Sequence, residues 1–284
     1  MRTTLDCIPC FIRQALDASR MISADPSFHE SVVREVMLWA GRMNMDETPP
    51  LLAQQIHRRL RSLTGVADPY REVKDAANRT ALALLPRLSF LVNESIDPLE
   101  AAVKFSIAGN LMDLGAKSGF SEDEIKESLA CALDEEIAGD YGFFKEAVRA
   151  AERILYLADN AGEIVLDRLL IERLPLNKVT LAVRGAPVIN DATAEDARVA
   201  GLHDMVAVVE NGSDAPGTVI SDCGDDFLKL YAESDMIIAK GQGNYETLSD
   251  ENRPIFFLLK VKCGVIAERI GYPVGSVVVK RQDR

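Results

Sequence analysis

The sequence has little histidine and cysteine and no long apolar segment. Its three histidines, His29, His57 and His203, are widely spaced, which argues against a histidine-rich zinc site. The number of cysteines, five, is odd, and the sequence has no recognisable secretory signal. We therefore expect reduced thiols rather than a disulfide framework. No run approaches 18 apolar residues. Together these features predict a cytoplasmic protein with no signal peptide and no membrane partner.

Positive charge is also scarce. Lysine and arginine number 32 against 44 aspartates and glutamates, which gives a formal net charge of −12 over 284 residues. A nucleic acid bound through its phosphates is therefore not an expected partner. An acidic protein that binds a phosphorylated metabolite needs a local cation, either a metal ion or a well-placed lysine. The length allows two domains.

The period of the apolar residues changes at about residue 150. Residues 1–150 show helical periodicity and no convincing strand, which predicts an all-α domain. Residues 151–284 alternate short β-rich runs with helical stretches, which predicts an α/β domain with a mostly parallel sheet flanked by helices. The expected strands lie at 154–158, 179–183, 205–209, 236–239, 255–259 and 277–279. The main expected helices lie at 5–21, 31–43, 51–63, 70–85, 88–94, from 98, 121–133, 163–174, 192–200 and 222–233.

A polar segment follows the first expected strand. It reads Asp159-Asn160-Ala161-Gly162-Glu163, and a helical pattern begins directly after it. Carboxylate and amide oxygens are hard donors that suit magnesium or manganese. Gly162 allows a close backbone approach to a ligand at the helix N-terminus. The alternative interpretation is an Asx turn with a helix cap.

Two later strands are also followed by polar segments. Asn190 and Asp191 precede a helix, so a pair of capping residues is the alternative there. Lys240 opens a segment with Gly241 and Gly243, whose N–H groups could face an anion beside the lysine charge. The third glycine of a dinucleotide-binding fingerprint is missing.

The shared position of these segments is the stronger argument. Loops after parallel strands emerge at one edge of the sheet, so Asp159, Asn160, Asp191 and Lys240 should meet in one crevice. Two carboxylates and an amide oxygen make three protein ligands for a hard divalent cation. A lysine beside that cation suits a phosphoryl group. We therefore predict a metal-phosphate site rather than coincident helix capping.

The chain resembles the DUF89 family, also called the damage-control phosphatase or ARMT1-like family, and most of all its short archaeal and bacterial stand-alone branch. The resemblance is carried by the blocks 6–10 (DCIPC), 108–113 (AGNLMD), 159–163 (DNAGE), 184–193 and 240–246 (KGQGNYE). It implies a helical N-terminal domain packed on a Rossmann-like three-layer domain. It also implies a cytoplasmic, metal-dependent phosphatase that hydrolyses phosphate monoesters of small metabolites, such as sugar phosphates or damaged phosphometabolites.

The resemblance also assigns residues to roles. The metal, which the sequence does not choose among magnesium, manganese, cobalt and nickel, would be bound by Asp159, Asn160 and Asp191. The catalytic residues would be Asp159, Asp191 and Lys240. In direct hydrolysis Asp159 or Asp191 would act as the base, and the alternative is that one of them is a covalent nucleophile. The substrate would contact Asn110, Asp113, Arg184, Asn190, Lys240, Gly241, Gly243 and Asn244. Asn110 and Asp113 would reach the site from the helical side, although a polar contact between domains is an equal alternative for both.

Several assignments stay open at this point. Arg184 is either a substrate contact or a surface ion pair, and Glu163 is either a partner of a metal ligand or a complement to the helix dipole. Cys7 and Cys10 favour a structural role over a metal half-site or a redox pair. The rival functions are an S-adenosylmethionine-dependent carboxyl methyltransferase and a non-catalytic phosphometabolite-binding protein. The sequence predicts no oligomeric state.

Overall fold

The elements that position the candidate site belong to one sheet and the helices around it. A computed structural model describes residues 1–109, 129 and 131–282. The strands in these ranges are β1 (Ile137–Gly139), β2 (Ile154–Leu157), β3 (Val179–Val183), β4 (Ala207–Glu210), β5 (Met236–Lys240), β6 (Ile255–Lys260) and β7 (Val277–Gln282). The helices named below are α1 (Ile8–Ile22), α2 (Pro26–Ala40), α3 (Pro49–Thr64), α4 (Arg71–Glu94), α5 (Pro98–Ala108), α6 (Tyr141–Ala150), α7 (Glu163–Ile171), α8 (Ala194–Val199), α9 (Asp225–Glu233), α10 (Gly241–Leu248) and α11 (Gly264–Ile270). Short 3-10 turns lie at Leu5–Cys7, Leu176–Lys178, Leu202–Asp204 and Ile220–Asp222.

The strands form a mostly parallel sheet in the order β1-β7-β6-β5-β2-β3-β4. Only the β6–β7 pair is antiparallel among the described strands. The chain runs from β2 outward through β3 to β4 and then returns to place β5 on the other side of β2. This reversal makes the carboxyl ends of β2 and β5 a topological switch point, where open α/β sheets bind ligands.

Helices cover both faces of the sheet, because successive strand residues point to opposite sides. Ile154 and Tyr156 of β2 pack in a core with α4, α5 and α7, whereas Leu155 and Leu157 pack in a second core with α9, α10 and α11. The predicted three-layer α/β fold is therefore confirmed. A third core joins α1, α2 and α3 to Val188 and Ile189, which follow β3. This contact seats the first three helices over the carboxyl edge of the sheet.

Two expectations for the first half of the chain were wrong. Residues 1–150 are not entirely helical, because Ile137–Gly139 form β1, which pairs in parallel with residues 277–279 of β7. Three residues carry too short a pattern to reveal a strand whose partner lies 140 positions away. The helices expected at 70–85 and 88–94 are one continuous helix, α4, which passes through Pro86. Its buried residues Leu84, Leu88 and Val92 lie on both sides of the proline and keep the helix packed.

Two further predictions concern a helix at 121–133 and the division of the chain into domains. The helix expected at 121–133 lies almost entirely outside the described residues. The division of the chain into two domains at about residue 150 stays a prediction, and α4 and α5 already belong to the layer that covers the sheet. In the described part of the chain, no helix combines the length and the apolar character needed to cross a bilayer.

Candidate active site

The loops after β2 and β3 are joined backbone to backbone at the edge of the sheet. Asn160 and Asp191 form an isolated antiparallel bridge. Beside it, the N–H of Ala192 donates to the carbonyl oxygen of Asp159 at 2.8 Å. Asp159, Asn160 and Asp191 are 7%, 6% and 3% exposed, respectively. The structure thus brings the three predicted metal ligands side by side in a nearly buried position.

Arg184 lies behind two of these side chains. It follows the last residue of β3, and its side chain is buried rather than on the surface. Its Nε donates to Asp191 Oδ2 at 2.7 Å, and one Nη atom lies 3.8 Å from Asp159 Oδ1. The alternative of a surface ion pair is therefore wrong. Arg184 balances the two carboxylates from the interior and does not line the cavity described below.

The orientation of Asn160 is fixed by its neighbours. Its Nδ2 donates to Asp159 Oδ2 at 2.8 Å and to Glu163 Oε2 at 3.2 Å. Because both amide protons point at carboxylates, the amide oxygen points the other way and is available to a cation. Glu163 is therefore more than a complement to the dipole of α7, since it bonds a predicted metal ligand directly.

Lys240 does not reach the predicted crevice. Its ammonium group is fully buried and donates to the Ser106 carbonyl oxygen at 2.9 Å, to Glu163 Oε1 at 2.8 Å and to Asp167 Oδ1. Burial acts to lower the pKa of Lys240, but Asp167 and Glu163 outweigh it, so its pKa is raised. The lysine is charged and all three of its protons are engaged inside the protein.

The segment that follows Lys240 is a helix rather than a glycine-rich loop. Lys240 ends β5, and α10 begins at Gly241 with φ of 77°. A Cβ atom on Gly241 would lie 1.8 Å from Asp159 Oδ2, so this glycine makes room for the carboxylate. Gly243 lines the cavity, whereas Asn244 is buried and its Nδ2 bonds the Lys240 and Ala158 carbonyl oxygens at 2.7 and 3.2 Å. Asn244 therefore ties β5 to β2 instead of facing a substrate.

A cavity of about 660 Å³ opens above the three side chains. Asp159, Asn160, Asn190 and Asp191 form its floor, and residues of α1, α3, α10 and α11 form its walls. Asn110 and Asp113, the substrate contacts expected from the helical half, lie outside the described residues. The cavity therefore combines the loops after β2 and β3 with the helices that cover the sheet edge.

Sequence reasoning missed part of the cavity wall. Cys7 and Cys10 line it together with Cys263 from the segment after β6, so folding brings three cysteines to one place. Burial and then the neighbouring Cys7 and Cys263 raise the pKa of the Cys10 thiol. Lys262 also lines the wall. The rule that located Asp159 could have located Lys262, because β6 is parallel to β5 and ends at the same edge.

The charges around the floor are suited to a divalent cation. The buried ionisable side chains there are Asp159, Glu163, Asp167, Asp191, Arg184 and Lys240. Four carboxylates against two cations leave a formal charge of −2. Burial, then Glu163 and Asp191, raise the pKa of Asp159 well above its usual range. Buried carboxylates in excess are costly, and a divalent ion held by oxygen donors would offset both charges.

The side chains at the cavity floor include no histidine and no cysteine among the described residues. Within the described ranges, no group of three or more histidine, cysteine, aspartate or glutamate side chains is arranged to hold a metal ion. The donor set at the floor is instead two carboxylates and one amide, which is a set for a hard cation.

Comparison with known proteins agrees with the sequence resemblance. The family model described as "Damage-control phosphatase ARMT1-like domain" matches residues 3–278 of the chain. A damage-control phosphatase from Archaeoglobus fulgidus is 37% identical over 96% of this chain and 97% of its own length. A damage-control phosphatase from Pyrococcus horikoshii is 32% identical over 99% and 98%. The crystal structure of a DUF89 family protein from Pyrococcus horikoshii matches with a TM-score of 0.88 at 32% identity and covers 99% of both chains. The chain therefore belongs to the damage-control phosphatase ARMT1-like family.

Proposed function

We propose that this protein is a metal-dependent phosphatase that hydrolyses phosphate monoesters of small metabolites in the cavity above Asp159, Asn160 and Asp191. Membership in the family identifies the chain as a phosphatase. The observation that supports metal dependence is the position of Asp159, Asp191 and Asn160. Two buried carboxylates and an amide oxygen lie side by side at the cavity floor, where negative charge is in excess. A volume of about 660 Å³ suits a small metabolite, such as a sugar phosphate or a damaged phosphometabolite.

The ion would be held by Asp159, Asn160 and Asp191, and magnesium, manganese, cobalt and nickel all accept such ligands. When bound, it would supply positive charge to the phosphoryl oxygens and lower the pKa of a water molecule. Arg184 holds Asp191 in place through the 2.7 Å bond from its Nε. Asp159 or Asp191 is positioned to accept the proton of the attacking water, because both carboxylates line the cavity floor.

Lys240 has a supporting role in this proposal. Its ammonium bonds Glu163 Oε1, and Glu163 Oε2 accepts from the Asn160 amide, so the three side chains form a chain from the interior to the floor. This chain keeps the Asn160 oxygen directed away from Glu163. Lys240 thus acts on the reaction through Asn160 and not by contact with the phosphate.

Metal removal tests the proposed function. Protein stripped with EDTA should release no phosphate from p-nitrophenyl phosphate or from a panel of sugar phosphates. Addition of magnesium, manganese, cobalt or nickel should restore the release, and the order of the four ions would identify the preferred one. The same assay separates a phosphatase from a methyltransferase or a binding protein. A folded protein with no metal-stimulated release from any of these esters would contradict the proposal.

Replacement of Glu163 tests the chain of bonds to Asn160. In Glu163→Gln, one oxygen becomes an amide nitrogen, so Asn160 is free to turn its oxygen toward the new donor. We expect metal affinity to fall by roughly 10- to 100-fold, as is typical when the partner of a metal ligand is lost. Titration calorimetry with manganese measures this without relying on activity. Glu172→Gln is the control, because Glu172 pairs with Arg168 at the other end of α7. Equal affinity in both variants would reduce Glu163 to a helix-terminal charge.

A further inference from the structure

Asn78 of α4 links the two loops that form the cavity floor. It is 1% exposed, and its Oδ1 accepts a hydrogen bond from the N–H of Gly162 at 2.7 Å. Its Nδ2 donates to Asp196 Oδ1 at 2.8 Å. The other oxygen of Asp196 accepts from the N–H and from the Oγ1 of Thr193, both at 2.8 Å. Gly162 and Thr193 each lie two residues beyond a predicted metal ligand, so one buried side chain connects both loops close to their ligands.

Lys74, one turn earlier in α4, fixes the direction of the Asn78 amide. Lys74 and Asp196 are 1% and 0% exposed, and Lys74 Nζ lies 2.8 Å from Asp196 Oδ2. Burial acts to raise the pKa of Asp196, but Lys74 and the hydrogen bonds from Thr193 outweigh it, so its pKa is lowered. An ionised carboxylate only accepts hydrogen bonds. Asn78 must therefore direct its NH₂ group at Asp196 and its oxygen at Gly162.

The bond to Gly162 acts on the loop after β2. Gly162 has a φ of 76° and is the N-cap of α7, so the backbone turns sharply directly after the predicted ligands. An N–H at the start of a helix has no carbonyl partner within that helix, and Asn78 supplies the acceptor here. The preceding N–H, from Ala161, donates to the Asn190 carbonyl oxygen at 2.8 Å. Consecutive N–H groups after Asn160 are thus held by the neighbouring loop and by α4.

We propose that Asn78 is a positioning residue for the cation site, which holds Asn160 and Asp191 at the spacing that one divalent ion requires. The inference rests on the proposed phosphatase function. Small divalent ions such as magnesium demand near-ideal octahedral geometry, so a small displacement of either loop weakens their binding. Asn78 acts through the backbone of both loops rather than on the ion itself. Helix α4 is described throughout and does not line the cavity, yet it sets the geometry of the floor.

An exchange of the two side chains tests this role by titration calorimetry with manganese. Asn78→Asp places a second carboxylate against Asp196, so the two charges repel each other and the loops are displaced. We expect manganese affinity to fall by about 10-fold or more. Asp196→Asn added to Asn78→Asp again sets an amide opposite a carboxylate, so the bonds to Gly162 and Thr193 form as before. The double variant should recover most of the wild-type affinity, and kcat for phosphate release should follow the same order.

Control variants on the same helix separate positioning from stability. Asn93→Asp makes the same change at an exposed position of α4 and should leave manganese affinity unchanged. Leu88→Ala removes packing from the buried face of α4 and should lower the Tm without lowering the manganese affinity of the folded protein. Asn78→Ser is too short to reach both partners and should lower the affinity without adding a charge. It provides the measurement if Asn78→Asp does not fold.

The outcomes distinguish a failure of this role from a failure of the proposed function. A folded wild-type protein with no metal-stimulated phosphate release would remove the proposed function, and the role of Asn78 with it. An active wild type in which Asn78→Asp and Asn78→Ser bind manganese as tightly as Asn93→Asp would overturn the role of Asn78 alone. Equal losses of affinity in Asn78→Ser and Leu88→Ala would also overturn it, because any weakening of α4 would then have the same effect.

Discussion

Asp159→Asn and Asp191→Asn should each reduce phosphatase activity on the order of a thousandfold, because each removes a full negative charge from the proposed metal ligands. Asparagine keeps the shape of aspartate and one oxygen, so the loss reports charge rather than packing. Phosphate release at saturating metal measures the loss of activity, and manganese titration measures the loss of metal affinity. Asp204→Asn, at an exposed aspartate, is the control and should leave both unchanged. Full activity in either floor variant would place the cation elsewhere.

The same two variants should differ in the stability of the metal-free protein. The pKa of Asp159 is raised in the folded state, so the folded protein binds this proton more tightly than the unfolded chain does. This group therefore lowers the free energy of unfolding as pH rises above its ordinary pKa of 3.8. Asp159→Asn should make the metal-free protein more stable than the wild type at pH 7 to 8.

Asp191→Asn should have the opposite effect on stability. It takes the charged partner away from Arg184 Nε, which lies 2.7 Å from Asp191 Oδ2 in a buried position. Arg184 then keeps only its 3.8 Å contact with Asp159, so a direct bond between buried charges is lost and the free energy of unfolding should fall. Urea denaturation in EDTA between pH 5 and 8 measures both variants. Equal stability changes would mean that Asp159 carries no excess charge in the folded state.

The floor could be predicted from the sequence because it depends on topology alone. Short apolar runs in the sequence located β2 and β3. The residues that follow parallel strands lie at the same edge of the sheet, independent of side-chain conformation. Asp159, Asn160 and Asp191 needed no further information. The same reasoning applied to β6 would have reached Lys262. The substrate contacts expected at Asn110 and Asp113 stay predictions.

The face of the sheet to which the Lys240 side chain points could not be predicted from strand order alone. Its orientation depends on whether it ends a strand or opens a loop, and the glycines after it favoured a loop. In the structure it continues the alternation of β5, on the same face as Met236 and Ile238, which pack in the core with α5 and α7. That face holds Ser106 and Asp167. One residue more or less of strand reverses the side chain, which is why local sequence did not decide it.

Lys240→Met should reduce the free energy of unfolding by about 3–5 kcal/mol, because it leaves the buried carboxylates of Glu163 and Asp167 without their cation. Methionine is close to lysine in length and fills the same space, so lost packing contributes little. Urea denaturation of the metal-free protein measures the change. Lys260→Met is the matched control, because Lys260 pairs with Glu135 at the partly exposed end of β6 and should cost about 1 kcal/mol or less.

A second substitution separates charge from contact. Asp167→Asn added to Lys240→Met removes one of the two unpaired negative charges and should recover part of the lost stability. The asparagine keeps an oxygen that can accept the hydrogen bond from Ser106 Oγ, so that bond is not lost. The combined variant should therefore be more stable than Lys240→Met alone, in a double-mutant comparison with Asp167→Asn by itself. If Lys240→Met instead kept wild-type stability and lost phosphate binding, the lysine would be a substrate ligand. The buried network of Lys240, Glu163 and Asp167 would then not hold the floor in place.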